Sequence, residues 1–362
     1  MRSLSLGFLA ITLCLNAFAQ NIPAQKVQLA LDGGADLSPV YPTSKIPANA
    51  RRFVAIFMFD DQQHHKVDTT MGPTEHGGSF TASKQGQTEV IAVGDKTRVL
   101  LRYSFLRDLP VGPWRLTVSV DDKPFAAQSF DVVPAAAPLK LSGPIDLAGS
   151  LTKGTEWTSE FRVLHEPRPG LEMTLEGATV DDGWLRTTAT RRIVATDQEG
   201  VRADNYQSGK VISSTWTIAT DKGIAVTKLE SGGHSVLADP PELMVAWPVA
   251  GFYTSWRWHD KRQKPEFGHQ FQMWGPVPIK TPKGEMPGYV LLQKIPDTSD
   301  SSIIASSSEN GIVPGVGMVY TIGIQSVPQY QTAMRTEARL TSMKPGSGSE
   351  PEIRKYVESP TN

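Results

Sequence analysis

Three of the chain's seven histidines fall in one short stretch, DDQQHHKVDTTMGPTEHGG, which runs from Asp60 to Gly78. Imidazole and thioether groups are ligands for copper, and imidazoles together with carboxylates are ligands for zinc. A periplasmic metal-binding protein is therefore one hypothesis for this chain. Its candidate ligands are His64, His65 and His76, with Met58, Met71, Asp60 and Asp61 as neighbours.

The spacing of these histidines argues against a preformed metal site. His64 and His65 are adjacent, so on an extended backbone their side chains point to opposite sides. His76 lies well beyond them, past the break at Gly72 and Pro73. We therefore predict a solvated polar loop between two strands and no metal or other cofactor, with the metal site as the alternative.

Aromatic side chains form a second candidate site, because four of the eight tryptophans lie between Trp247 and Trp274. Period-two alternation places Trp256 and Trp258 on one face of a strand, and Tyr253, Arg257 and His259 on the other face. Aromatic sheets bind sugars or acyl chains by stacking and apolar burial, although the rings could simply fill a large core. The predicted ligand-binding residues are Tyr253, Trp256, Arg257, Trp258 and Trp274.

The sequence contains no motif with a defined catalytic geometry. Gly-x-Ser-x-Gly, His-Glu-x-x-His and Ser-x-x-Lys with its partner motifs are all absent. Ser231 and His234 are close in SGGHS, but a Gly-Gly turn fixes no geometry and no acid is evident to orient the imidazole. Asp181 and Asp182 in DDGW are typical of a hairpin turn. We expect no enzyme; a hydrolase acting on an envelope polymer, its acids converging from separate loops, is the alternative.

The elements that would position these residues are predicted to be strands. In WRLTVSVDD the apolar residues Trp114, Leu116 and Val118 alternate with polar ones, and VLLRYSF repeats the pattern. Short strands separated by turn residues predict an immunoglobulin-like β-sandwich over residues 25–134. The segment LPVGPWRLTVSVDDKPFAAQSFDVV resembles the closing hairpin of periplasmic immunoglobulin-like modules.

A second β-rich domain is expected after a linker at residues 135–138, where two prolines bracket three alanines. Segments such as FRVL, SSTWTIAT, FYTSWRWH and YVLLQKI are short and β-branched or aromatic. We predict an all-β, mainly antiparallel chain whose residues 139–328 form a larger curved sheet or half-open barrel. TAMRTEARLTSM would make a short helix within residues 329–362, and the rest of that segment a disordered tail.

The segment GIVPGVGMVYTIGI, Gly311 to Ile324, is similar to a turn and strand found late in a group of uncharacterised bacterial envelope proteins, which also have a Trp-rich segment upstream. Those proteins resemble the half-open barrel of the lipoprotein carriers LolA and LolB, so the resemblance implies a curved sheet with an apolar concave face and no catalytic residues. It rests on Pro314, Gly315, Gly317, Val319, Trp256 and Trp258. Apart from any family, the two glycines allow positive φ in a structural turn.

The amino terminus predicts export. Arg2 precedes an apolar run that ends in Ala17-Phe18-Ala19, which is typical of a signal peptide over residues 1–19 cleaved before Gln20. Cleavage would remove Cys14, the only cysteine, so the mature chain would have no disulfide and a small acidic excess. We expect a periplasmic or secreted protein without a transmembrane segment and without a nucleic-acid partner, since clustered basic charge is absent.

These features together predict an exported, non-catalytic binding or accessory protein. Its partner would be another envelope protein or an apolar or glycan ligand. The hydrolase and the metal-binding protein remain as the two alternatives.

Overall fold

The structure is a computed structural model that describes residues 27–35, 37–74, 85–93, 96–164, 179–181, 184–247, 253–327 and 332–348. The predicted signal peptide, His76, Asp182 and residues 349–362 lie outside the described residues. The chain divides into two compact units. The first contains the chain up to Gly33 together with Pro42–Pro134, and the second contains Gly34–Tyr41 and the chain from Ala135 onward.

The first unit is a β-sandwich. Its strands are β1 (Val27–Gly33), β3 (Lys45–Pro47), β4 (Arg52–Phe59), β5 (Val67–Pro73), β6 (Gln85–Val93), β7 (Lys96–Ser104), β8 (Gly112–Val120) and β9 (Lys123–Val133). Of β2 (Pro39–Pro42), only Pro42 belongs to this unit. One sheet has the order β2-β1-β4-β7-β6 and the other the order β3-β9-β8-β5. The alternating residues Trp114, Leu116 and Val118 are buried in the core between the sheets, where Phe53 packs against Phe130.

The second unit is built on one long antiparallel sheet. Its strands are β10 (Glu156–Leu164), β11 (Thr179–Asp181), β12 (Trp184–Asp197), β13 (Gly200–Gln207), β14 (Lys210–Ala219), β15 (Gly223–Ser231), β16 (His234–Ala246), β17 (Tyr253–Trp258), β18 (His269–Thr281), β19 (Gly284–Pro296), β20 (Ile304–Val313), β21 (Gly317–Val327) and β22 (Thr332–Lys344). The order is β16-β15-β14-β13-β12-β10-β22-β21-β20-β19-β18-β17, with β11 beside β12. The sheet curves into a nearly closed barrel, so the predicted fold class is confirmed.

Register shows which side chains point into this curved sheet, because directly opposed residues in an antiparallel pair lie on the same side. One such row crosses six strands and consists of Phe161, Ala338, Thr321, Asn310, Leu291 and Met273. Leu291 and Met273 belong to an apolar cluster that also contains Ile224 and Val245 from the opposite end of the sheet. The side on which these ends meet is the inner face.

Two tryptophans join the end strands β16 and β17. Trp256 donates its indole N–H to the carbonyl oxygen of Leu243 at 2.7 Å, and Trp258 donates to that of Pro240 at 2.9 Å. Strand β16 contains Pro240 and Pro241, which have no N–H to donate to a further strand. The seam between the end strands therefore depends on side-chain donors, since no backbone ladder joins β16 to β17 in the described residues.

Replacing each tryptophan by phenylalanine removes the indole N–H donor but keeps an aromatic ring, so it should weaken the seam between β16 and β17. We expect Trp256→Phe and Trp258→Phe each to lower the free energy of unfolding by about 1 kcal/mol, the usual net contribution of a hydrogen bond. Urea unfolding followed by circular dichroism measures this. Trp184→Phe is the matched control, since Trp184 is equally half-buried but lies away from the seam. Equal losses in all three variants would contradict the seam's role.

A short helix, α1 (Ile145–Ala148), packs against the turn between β20 and β21. Its Leu147 side chain is buried in the apolar cluster of the inner face. The turn holds Gly315 and Gly317 at φ 76° and 92°, and the Gly315 N–H donates to the Asp146 carbonyl oxygen at 2.7 Å. A strand follows the turn, so no helix N-terminus is present there to bind phosphate.

The two turn glycines differ in the space around them. A Cβ at residue 317 would lie 2.8 Å from the backbone oxygen of Ala148, whereas a Cβ at residue 315 would meet nothing within 4 Å. Gly317→Ala should therefore cost about 3 kcal/mol, from positive φ and a backbone clash, and Gly315→Ala about 1 kcal/mol, from φ alone. Denaturant unfolding of the pair checks this. Similar costs would show that the contact with α1 is not tight.

Two features of the second unit differ from the sequence prediction. TAMRTEARLTSM is not a helix, since it forms most of β22, which pairs with β10 on one side and β21 on the other. The predicted first domain, residues 25–134, includes Gly34–Tyr41, but this segment belongs to the second unit. Within that unit the Ala35 N–H donates to the Ser307 hydroxyl at 2.7 Å, and the Tyr41 N–H donates to the Glu309 carboxylate at 3.2 Å.

Candidate ligand-binding face

Strand β17 presents two aromatic rings on the inner face. Trp256 lies opposite Phe271, and their rings stack with centroids 5.3 Å apart and planes 5° from parallel. Trp258 lies opposite His269, with ring centroids 5.1 Å apart. Both tryptophans are half-buried and pack on the edge of the apolar cluster, so part of each ring is open to a ligand.

Three polar side chains converge next to these rings. His269 Nδ1 lies 2.7 Å from a carboxylate oxygen of Glu242, and the Gln293 amide donates to the same oxygen at 3.3 Å. They come from β16, β18 and β19, so closure of the sheet brings Glu242 to the other two. None of them was predicted as a site residue. The only signal in the sequence is that His269 alternates with Phe271 along β18, which places both on one face.

The Glu242–His269 pair orients an imidazole in the way that acid–base catalysis requires. Within the part of the chain that the structure describes, no serine, threonine or cysteine side chain is hydrogen-bonded to His269. The cluster therefore provides polar groups that could orient a bound ligand.

The other predicted ligand-binding residues lie on the opposite side of the sheet. Trp274 is fully buried, and its ring centroid is 5.9 Å from that of Tyr253, its partner across the strand pair. Arg257 is exposed on the same side. The five residues therefore do not form one site, and only Trp256 and Trp258 contribute to the inner face.

The serine and histidine of SGGHS also do not form a catalytic pair. Ser231 and His234 close the β15–β16 hairpin, and both intervening glycines have positive φ. The Ser231 hydroxyl donates to the Ile212 carbonyl oxygen at 3.5 Å, and His234 is exposed. This arrangement is that of a hairpin turn.

In the histidine-rich stretch, His65 binds two carboxylates. Its Nδ1 lies 2.8 Å from Asp121 and its Nε2 2.9 Å from Asp61, while His64 is exposed. Both ring nitrogens are occupied, so a metal would have to displace an aspartate. Among the residues that the structure describes, no group of three or more His, Cys, Asp or Glu side chains could hold a metal. His76 lies outside those residues.

The two hydrogen bonds raise the pKa of His65 above its ordinary value of 6.5, Asp121 contributing most and Asp61 next. Protonated His65 therefore stabilises the fold fully below about pH 6.5, and this stabilisation is lost as the pH rises through the raised pKa. The pKa values of both aspartates are lowered, chiefly by His65, so their contribution is lost at acid pH.

We expect the stability difference between the wild type and His65→Gln to be largest near pH 5.5 to 6 and to shrink towards pH 9. Denaturant unfolding over this pH range measures it. His64→Gln is the matched control, because the neighbouring imidazole is exposed; its difference from the wild type should be flat. A difference for His65→Gln that grows with pH would contradict this assignment.

The comparisons with known proteins give little beyond this geometry. The chain matches no protein-family model and no curated protein. It is similar to the crystal structure of a candidate lipoprotein from Parabacteroides distasonis, with 13% identity, 57% of this chain and 100% of that chain covered, and a TM-score of 0.26. It is also similar to the crystal structure of a candidate exported protein with a YmcC-like fold from Bacteroides fragilis, at 11% identity and a TM-score of 0.25. That match covers 55% of this chain and 99% of the other. At these TM-scores the similarity supports no functional argument.

None of the helices in the described ranges is both long and apolar enough to cross a membrane.

Proposed function

We propose that this chain is an exported, non-catalytic binding protein of the cell envelope, and that its second unit binds an apolar or amphipathic ligand on the inner face. The location rests on the amino-terminal sequence pattern. The ligand class rests on one observation, the partly exposed rings of Trp256 and Trp258 beside the apolar cluster.

The chemistry of this face favours an alkyl chain with a polar end. Aromatic and aliphatic side chains exclude water from a ligand without fixing its identity, and a few polar groups fix its orientation. Trp256 and the cluster around Phe271 provide the apolar surface that excludes water. The polar groups that fix orientation are those of Glu242, His269 and Gln293. A ligand that lies along the β17 strand would meet both.

The test uses 1-decanol as the probe and equilibrium dialysis as the measurement. Trp258→Ala should weaken binding about tenfold or more, because truncating a tryptophan that contacts the ligand typically costs about 2 kcal/mol. Trp258→Phe, which keeps a ring but loses the seam donor, should stay within about twofold of the wild type.

The matched control is Trp184→Ala. Trp184 is also half-buried, but it lies opposite Leu164 on the outer face, with the Arg162 guanidinium 4.5 Å from its ring centroid. Its truncation should leave decanol binding unchanged. Failure of the wild type to bind decanol, or an equal loss in both alanine variants, would overturn the proposal. Binding of an N-acetylglucosamine trisaccharide in place of decanol would support the glycan alternative instead.

A further inference from the structure

A second region of the inner face contains a cation that has no counter-ion among the described residues. Arg191 lies on β12 opposite Trp157 of β10, and Trp157 shares its face with Phe161 of the inner row. The guanidinium carbon is 5.4 Å from the centroid of the Trp157 ring. Among the described residues, Arg191 has no carboxylate partner and no hydrogen-bond partner. In the part of the chain that the structure describes, it therefore lines the interior without an ion-pair partner.

The neighbouring arginines on the outer face are all paired. Arg192 binds Glu156, Arg186 lies 3.1 Å from Glu160, and Arg202 lies 2.7 Å from Asp204. Arg191 lies on the other side of the sheet, where no carboxylate of the described residues pairs with it. Because unpaired charge is costly to desolvate, a binding partner for this guanidinium is expected from outside the described chain.

The space for such a partner is present. A pocket of about 170 Å³ lies against Arg191, lined mainly by apolar atoms. Its walls include Trp157, Ser159, Arg191, Asn205, Val319 and Ala338. The Ser159 hydroxyl is a second donor with no hydrogen-bond partner among the described residues. The Trp157 ring is held in place because its indole N–H donates to the Val316 carbonyl oxygen at 2.8 Å.

We propose that Arg191 binds the oxyanion of a ligand, a carboxylate or phosphate group, in this pocket. Guanidinium forks bind these groups in a bidentate manner, and the apolar walls strengthen the interaction by excluding water. Burial lowers the pKa of Arg191, which agrees with a guanidinium that is poorly solvated in the absence of an anion. The proposal rests on the proposed function and deepens it: the alkyl chain lies on the inner face, and its anionic end binds Arg191 and not the cluster that contains the Glu242 carboxylate, which would repel an anion. The ligand would then be a fatty acid or a phospholipid-like molecule.

The experiment compares sodium decanoate, 1-decanol and inorganic phosphate by isothermal titration calorimetry at pH 7.5, below the micelle concentration. The wild type should bind decanoate at least tenfold more tightly than decanol, the effect of one charge-assisted hydrogen bond or more. Arg191→Gln should abolish that preference, and Arg191→Lys should keep part of it. Arg192→Gln, the same substitution one residue along on the outer face, should keep it fully.

The phosphate titration distinguishes the two sources of the oxyanion. Arg191-dependent phosphate binding would show that the pocket accepts a free anion, whereas decanoate preference without phosphate binding would show that it requires the alkyl chain. Either result supports the oxyanion site. If decanol does not bind but phosphate binds in an Arg191-dependent way, the proposed function fails and the oxyanion site stands.

A stability measurement separates this role from a structural one. Without ligand, Arg191→Gln should unfold at the same temperature as the wild type or higher, because it removes an unpaired half-buried charge. A clear loss of stability, together with equal decanoate binding by Arg191→Gln and the wild type, would overturn the proposal and assign Arg191 to packing against Trp157.

Discussion

Closure of the large sheet is the constraint on which the second unit depends. A sheet of this length has two end strands whose backbone groups need partners, and β16 cannot offer all of its own donors because it contains Pro240 and Pro241. The indole N–H groups of Trp256 and Trp258 bind carbonyl oxygens across the gap. The same two rings form the wall of the proposed ligand site, so closing the sheet and building the site use the same side chains.

The two faces of the curved sheet have different electrostatics. On the outer face, charged residues from neighbouring strands neutralise one another, as Glu337 does by binding both Arg162 and Arg335. On the inner face the buried cluster is apolar, and the ionisable side chains described there include Arg191, Glu242 and His269. Buried polar groups are costly to desolvate unless they are hydrogen-bonded or paired, as Glu242 and His269 are with each other. This contrast supports a function located inside the sheet.

The histidine-rich stretch shows how the same residues can have a structural role. His65 bridges Asp61 and Asp121, and the Asp121 carboxylate also accepts the Lys66 N–H at 3.0 Å. These bonds link the segment before β5 to the turn between β8 and β9. The His65 ring also packs beside that of Phe59, with ring centroids 4.8 Å apart. In the described residues, the stretch therefore stabilises the sandwich through hydrogen bonds between His65 and two aspartates. The predicted pH dependence of the free energy of unfolding follows from these bonds.

The sequence by itself determined the strands, because period-two alternation is a local property that survives in any β arrangement. It therefore predicted the all-β fold, the sandwich, the curved sheet and the shared face of Trp256 and Trp258. It failed for TAMRTEARLTSM, whose helical propensity is overridden because β10 and β21 satisfy the backbone of that segment on both sides. Only the tertiary structure decided which residues meet. Closure of the sheet brings Glu242 to His269, and the register of β10 and β12 places Arg191 opposite Trp157. No local sequence pattern encodes either closure or register. The inner site is a product of closure, and closure depends on contacts between residues distant in the chain.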